Sequence, residues 1–335
     1  MDKFFLLITI GFILSLIISP LVIKMTKKLK ASQPLYEYVD MHAKKSGTPT
    51  MGGIIFLIGI TVTSLLYISF ESKISLVCLG VFLAFGLVGF LDDFLKIKHK
   101  QNLGLKAYQK IIFQLLISLI VAFFAYSNGL IGSSIYLPFV NVEIDLGIFY
   151  IPFTSVVFLA VTNSVNLTDG LDGLAGGVSL GYIVNYSMIL LSIISSLNLL
   201  GTNSLLIEEY TNLTLIMAAA IGSLLAYLLF NSFPAKIFMG DTGSLALGGL
   251  IACLNIFTKQ TLLIPILGIM FVVSSVSVIL QVVKFKLTKK RMFLMAPFHH
   301  HLEKKGMNET KIVSVYIIIT LIVGVICNFL QIIFF

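Results

Sequence analysis

The chain has 335 residues, of which 58% are hydrophobic and 11% charged, with a net charge of +8. A mean hydropathy of +1.02 excludes a soluble domain of this length, and the apolar runs reach the ~20 residues that cross a bilayer. The composition predicts an all-α integral membrane protein, a polytopic bundle of about ten transmembrane helices. No repeat, low-complexity linker or soluble segment divides it, so residues 1–335 are expected to form a single membrane domain.

In chain order, the first apolar run, Phe4 to Ile23, is too long for a signal-peptide core and has no small-residue cleavage site after it. It is expected to remain as a helix. Further spans are expected at 51–70, 74–91, 111–128, 149–165, 175–196, 213–230, 244–258, 261–283 and 312–334. The segment 135–148 alternates weakly in hydrophobicity, as a short outer hairpin would. Cys78, Cys253 and Cys327 each lie inside an apolar run without paired spacing, which reads as helix packing rather than a disulfide or metal site.

Twenty of the 23 Lys and Arg fall in alternate loops, within 24–45, 96–110 and 284–311 and at Lys236; Lys3, Lys73 and Lys259 lie on the other side. The positive-inside rule makes the first side cytoplasmic, and an even number of spans then puts both termini outside.

Acidic residues are scarce, 15 in all, yet five Asp sit at the ends of apolar runs on that cytoplasmic side. They are Asp92 and Asp93 in GFLDDF, Asp169 and Asp172 in NSVNLTDGLDG, and Asp241 in FMGDTGS. A carboxylate beside hydrocarbon is costly unless it serves a polar pathway or a site. Five together suit a divalent cation meeting phosphates.

Each string has a plainer reading too. Lys44 and Lys45, before Gly47-Thr-Pro-Thr-Met-Gly-Gly53, can hold a phosphate or simply mark topology. Asp92 and Asp93 are expected to close the third span, where the helix dipole disfavours them and calls for Mg²⁺ or lysine as an offset. Asp169 and Asp172, three apart, would share a face of a helical turn, with Gly170 and Gly173 leaving room for a ligand. Asp241 and Thr242 can cap the following helix, and Phe238 can stack on a base or face the membrane interface. In Pro297-Phe-His-His-His-Leu302 the three adjacent histidines point about 100° apart on a helix. That geometry suits hydrogen bonds to phosphate or Asp better than a zinc site.

Taken together, KKSGTPTMGG, GFLDDF, NSVNLTDGLDGLA, FNSFPAKIFMGDTGSLALGG and APFHHHLEKKG closely resemble the phospho-N-acetylmuramoyl-pentapeptide transferases (the MraY family). These belong to the polyprenyl-phosphate N-acetylhexosamine-1-phosphate transferases. The match runs through all five cytoplasmic segments in order. The paired Asp and NLTDGLDG are shared by the wider superfamily, whereas GTPTMGG and PFHHHLE point to the muramoyl-pentapeptide branch.

The resemblance implies a bacterial cell-membrane enzyme of peptidoglycan synthesis. It would join UDP-MurNAc-pentapeptide to undecaprenyl phosphate at the cytoplasmic leaflet, giving lipid I and UMP, with Mg²⁺ as cofactor. By motif position, Asp241 would ligate Mg²⁺, and Asp92, Asp93 and Asp169 would be the other catalytic acids. Gly170, Leu171, Asp172, Asn231, Phe238 and Gln281 would form the uridine pocket. Lys45 and Lys110 would meet the phosphates with Asn166 close by, and His300 and His301 would serve the phosphate or sugar side. A homodimer is also implied, and no nucleic-acid partner.

Two alternatives stand beside this reading. A sister enzyme moving GlcNAc-1-phosphate to the same lipid would share the aspartates but not PFHHHLE. An ion-coupled transporter would place its acids near the bilayer midplane on broken helices.

Overall fold

The structure, a computed structural model, describes residues 2–29, 47–99, 104–140, 142–201 and 203–334. Among these, nine helices are long and apolar enough to cross a membrane. They are α1 (Asp2–Lys28), α3 (Lys73–His99), α4 (Ala107–Ser127), α5 (Tyr150–Thr168), α6 (Leu174–Leu199), α7 (Ser204–Asn231), α8 (Gly240–Phe257), α10 (Ile269–Thr288) and α12 (Glu309–Phe334). Shorter helices are α2 (Gly53–Leu65), α9 (Ile264–Leu267) and α11 (Phe298–Lys304).

Two expected spans differ from the sequence reading. The second, 51–70, shortens to the 13 residues of α2. At 1.5 Å per residue that is ~20 Å, less than the ~30 Å hydrocarbon core. It starts late because Met51 has a positive φ of 70° and Gly52 and Gly53 give their N–H groups to the carbonyls of Phe238 and Met239. The ninth, 261–283, is broken: a 3-10 turn at Thr261–Leu263 leads into α9, and Gly268 separates α9 from α10. Pro265 sits in the first turn of α9, where its missing N–H costs nothing. Beside this break lies an apolar cavity of about 290 Å³, lined in part by Phe153, Val157, Val161, Leu262, Pro265 and Phe271.

The expected hairpin forms as β1 (Ser134–Leu137) and β2 (Val142–Asp145), antiparallel with Ser134 opposite Asp145. It is pinned to the end of α8: Tyr136 N–H donates to the Lys259 carbonyl at 2.9 Å, and Lys259 Nζ lies 2.7 Å from Glu143 Oε1.

The core is built round α8, whose residues from Thr242 to Phe257 are all buried, packed between α3, α5 and α2. Lipid supplies no hydrophobic drive between helices, so small residues set how closely they approach. A Cβ on Gly89 of α3 would lie 2.1 Å from the Asp241 carbonyl, and one on Gly53 of α2 would lie 2.3 Å from Gly243 Cα. Both glycines are thus required by the start of α8. Because Asp92 and Asp93 follow Gly89 by about one turn, the contact that needs Gly89 also carries their carboxylates to Asp241.

Candidate active site

Asp92 and Asp93 do not close their helix as the sequence suggests; α3 continues to His99. The extra turn supplies the offsetting charge. Lys96, at i+4 from Asp92, places its Nζ 2.6 Å from Asp92 Oδ2 and 3.7 Å from Asp93 Oδ1, the favoured acid-before-base order on a helix. Lys96, Lys98 and His99 then occupy the last turn, where the dipole favours basic groups.

Asp93 has no exposed surface, and its oxygens meet the start of α8. Oδ1 accepts the Asp241 N–H at 3.2 Å; Oδ2 accepts the Thr242 N–H at 2.9 Å and its hydroxyl at 2.7 Å. The capping role expected of Asp241 and Thr242 is therefore filled by Asp93 from another helix, satisfying N–H groups with no partner inside their own helix.

Asp241 is released to face the polar side. Its Oδ2 lies 2.7 Å from Lys110 Nζ and 3.1 Å from Lys96 Nζ, and its Oδ1 accepts from Asn166 Nδ2 at 2.7 Å. The same Asn166 amide donates to Ser244 Oγ at 2.8 Å. Asp92 Oδ1 accepts the Leu105 N–H at 2.8 Å, closing the turn before α4 over the cluster.

Asp92, Asp93 and Asp241 thus form one group, each offering an oxygen within 4.8 Å of the others. All the donors are hard carboxylate oxygens, with no thiolate and no imidazole, which fits Mg²⁺ rather than a soft-ligand metal. One ion needs only one or two of them, and Asp93, committed to α8, has the least freedom.

A second group surrounds the NLTDGLDG loop. Here α5 stops at Thr168, so Asp169 and Asp172 do not share a helical face. Asp169 accepts the Gly240 N–H, and partial burial, then the charges of Asp241, Asp93 and Asp172, push its carboxyl up to about 8. Asp172 turns away, its Oδ2 accepting the Ala235 N–H at 2.9 Å while its own N–H donates to Glu309 Oε1 at 2.7 Å. Asn231 Oδ1 accepts the Gly173 N–H and its Nδ2 donates to the Ile237 carbonyl. Gly173 needs its φ of 81° to turn the chain into α6. Phe238, half-buried, is held by its N–H to the Pro49 carbonyl and by Gly52. Leu171 is buried against the core.

A third group lies on the segment between α10 and α12. Gln281 Oε1 accepts the N–H groups of Met292 and Phe293, both at 2.9 Å. His301 Nδ1 accepts the Leu294 N–H at 3.1 Å, and His300 Nδ1 lies 2.6 Å from Glu303 Oε2. His299, absent from the sequence-derived candidates, is the ring that reaches the second group. A Cβ on Gly170 would lie 2.2 Å from its Nε2, and both its ring nitrogens lack a hydrogen-bond partner among the described residues. Burial, then the nearby His300, pushes its pKa down to about 3, so it is neutral at physiological pH.

Lys110 and Asn166, expected beside the phosphates, lie on Asp241 in the aspartate cluster, while Lys45 lies outside the described residues. Glu309 carried no signal in the sequence, and His299 none that set it apart from its neighbours; Thr242 was expected only as a cap and Lys96 only as one of several lysines, although its i+4 spacing from Asp92 marks it.

Comparison with known proteins shows where this arrangement belongs. The glycosyl transferase family 4 profile matches residues 75–259, from the start of α3 to just beyond α8. Signature 1 of the phospho-N-acetylmuramoyl-pentapeptide-transferases matches residues 45–57. Curated proteins bearing that same name are similar along nearly the whole chain. One from Clostridium botulinum (strain Alaska E43 / Type E3) is 47% identical over 317 residues, covering 94% of this chain and 93% of the relative. One from Clostridium perfringens (strain 13 / Type A) is 45% identical, covering 96% of each. A third, from Clostridioides difficile (strain 630), is 43% identical over 94% of each. The chain belongs to the phospho-N-acetylmuramoyl-pentapeptide-transferase family.

The two profile matches divide the site between them. The family 4 match holds all five aspartates and the α3, α5 and α8 contacts that converge on Asp241. The pentapeptide-transferase signature covers the turn whose glycines seat α2 on Phe238, Met239 and Gly243.

Proposed function

We infer that the chain transfers phospho-MurNAc-pentapeptide from UDP-MurNAc-pentapeptide to undecaprenyl phosphate, forming lipid I and UMP in the first membrane step of peptidoglycan synthesis. The observation that carries this is 45–47% identity to curated transferases over nearly the whole chain, with a three-carboxylate, two-lysine cluster in the shared region.

An oxygen of the lipid phosphate attacks the β-phosphorus of the nucleotide sugar; the bond to the α-phosphate oxygen breaks and its electron pair leaves on UMP. Such transfer depends mainly on positioning and charge neutralisation. Asp241, with Asp92 beside it, would hold Mg²⁺, which when bound withdraws charge from the diphosphate oxygens. Lys110 and Lys45 would neutralise phosphate charge, and Asn166 fixes the Asp241 rotamer. The lipid phosphate, with a second pKa near ~6, is already largely ionised and needs no strong base, which favours a single displacement assisted by Asp92 over a double displacement through an aspartyl-phosphate on Asp92 or Asp93.

Asp93 and Asp169 complete the catalytic acids, Asp93 by holding α8. Gly170, Leu171, Asp172, Asn231, Phe238 and Gln281 are assigned to the uridine side, and His300 and His301 to the phosphate or sugar. The lipid chain is assigned to the exposed apolar face beside Asp92, formed by Leu87, Leu91 and Phe94.

A C55 lipid stays in the bilayer and a nucleotide stays out, so the site belongs at a membrane surface. Twenty of the 23 basic residues on one set of loops favour the cytoplasmic face of a bacterial cell membrane, and counting the short α2 as a tenth crossing beside the nine long helices puts both termini outside. One membrane domain per chain and a homodimer complete the assignment.

The test is UMP release by the purified protein with undecaprenyl phosphate and Mg²⁺, comparing UDP-MurNAc-pentapeptide with UDP-GlcNAc. Turnover with the pentapeptide substrate only, abolished by EDTA, is expected. Turnover with UDP-GlcNAc alone would reassign the chain to the sister activity, and no turnover with either would return it to the transporter class.

A further inference from the structure

Lys96 stands in the middle of the aspartate cluster, not at its edge. Its Nζ is 2.6 Å from Asp92 Oδ2, 3.1 Å from Asp241 Oδ2 and 3.7 Å from Asp93 Oδ1. Lys110, by contrast, pairs with Asp241. The oxygens that Lys96 gathers come from the same three carboxylates whose chemistry fits a hard divalent cation. An ammonium and a divalent ion a few ångströms apart repel each other and compete for the same carboxylates.

Charge leads to the same conclusion. Three carboxylates against two ammonium groups leave one net negative charge; adding a divalent ion with both lysines in place makes that one net positive. A site that holds both is overfilled before any phosphate arrives. Without any cation, three closely spaced carboxylates, two of them buried, would repel one another and pay for desolvation.

We propose that Lys96 is a placeholder cation: its ammonium occupies the carboxylate cluster when the metal is absent and is displaced when the metal binds. The displaced ammonium then faces the incoming diphosphate, so the charge that stabilised the empty site is reused on the substrate. Lys96 suits this role because its four-carbon stem swings without backbone movement, and at 15% exposure its side chain has a way out of the cluster. The proposal rests on the reading of Asp92, Asp93 and Asp241 as the metal site.

The experiment is a Mn²⁺ titration of the purified full-length protein, free of substrate, followed by the electron paramagnetic resonance of unbound Mn²⁺. Wild type is compared with Lys96→Met and with Lys98→Met, a change at an exposed lysine on the same turn. Removing a competing charge of this kind should tighten Mn²⁺ binding by about tenfold or more in Lys96→Met, with Lys98→Met unchanged. In EDTA, Lys96→Met should melt below wild type, and saturating Mn²⁺ should close that gap. Equal or weaker Mn²⁺ binding by Lys96→Met would overturn the placeholder while leaving the metal site standing. No Mn²⁺ binding by any form would overturn the metal site and the placeholder with it. Should Lys96→Met not fold, labelling of wild type with an amine-reactive reagent decides instead. Lys96 should react faster in Mn²⁺ than in EDTA, and an equal or slower rate would overturn the proposal.

Discussion

One oxygen of Asp93 accepts both the backbone N–H and the hydroxyl of Thr242, at 2.9 and 2.7 Å. A carboxylate from α3 thus does the work of an N-cap for α8, and it does so with no exposed surface. Although Asp92 and Asp93 are neighbours in a motif, they have different employment. Asp92 takes Lys96 on Oδ2 and the Leu105 N–H on Oδ1; an Asn carbonyl keeps the Leu105 bond, and Lys96 still has Asp241. Asp93→Asn would aim an amide N–H₂ at donors on α8.

Asp93→Asn should therefore lower stability by about 1–3 kcal/mol, the cost of unsatisfied buried donors, and lose activity with it. Asp92→Asn should lose activity while melting close to wild type. Thermal melting of both variants in one detergent, alongside UMP release, separates the two roles. Equal melting shifts would remove the distinction between them.

Asp241→Asn tests the other end of the cluster. Its side chain bonds outward, to Lys96, Lys110 and Asn166. Substitution leaves two carboxylates facing two ammonium groups, so the fold should tolerate it. Activity should fall by at least about 100-fold, as when a directed electrostatic group is removed. Retained turnover at ordinary Mg²⁺ would remove Asp241 from metal binding.

How much of this was legible in the sequence follows from the range of each interaction. The long apolar runs, the hairpin and the strings that hold Asp92, Asp169 and Asp241 are local features, and nine long helices among the described residues answer to the runs. The break at Gly268 and the short α2 were not visible, because apolar composition continues across both. Gly268 breaks one run from within, and the start of the other is delayed by a turn hydrogen-bonded to residues nearly 190 positions later, Phe238 and Met239. Asp93 and Asp92 look alike in GFLDDF; only the packing of Gly89 on Asp241 tells them apart. His299 was indistinguishable within three identical residues until the fold buried one against Gly170.

Glu309 is the case with no local signal. Its Oε1 accepts the Asp172 N–H at 2.7 Å, tying the first turn of α12 to the loop assigned to the nucleotide. It is a positioning residue, acting through Asp172. Glu309→Ala should raise KM for the nucleotide substrate by roughly fivefold, equivalent to about 1 kcal/mol for one hydrogen bond, with kcat little changed. Glu309→Gln retains an acceptor oxygen and should restore most of that loss. A purely structural role would instead lower melting and kcat together in both variants, with no rescue by Gln.

His299 gives the pH dependence. Its ring is buried against Gly170 and Tyr316, with His300 stacked edge-on and Glu303 on the same helix. Burial, with His300 adding to it and Glu303 opposing, pushes the His299 pKa down to about 3, against ~6.5 for an unperturbed histidine. Above the ordinary value both folded and unfolded states hold it neutral, and it adds no pH dependence. As pH falls below that value the unfolded chain takes up a proton that the folded one refuses, so stability is lost until pH reaches about 3. The limiting slope for one such group is ~1.4 kcal/mol per pH unit. Comparing apparent melting between pH ~7 and ~4 in wild type and His299→Asn isolates this contribution, because other titrating groups are common to both. Wild type should fall more steeply on acidification. Parallel curves would mean that His299 takes its proton in the folded state, and that the ring is not sealed against Gly170 as the structure places it.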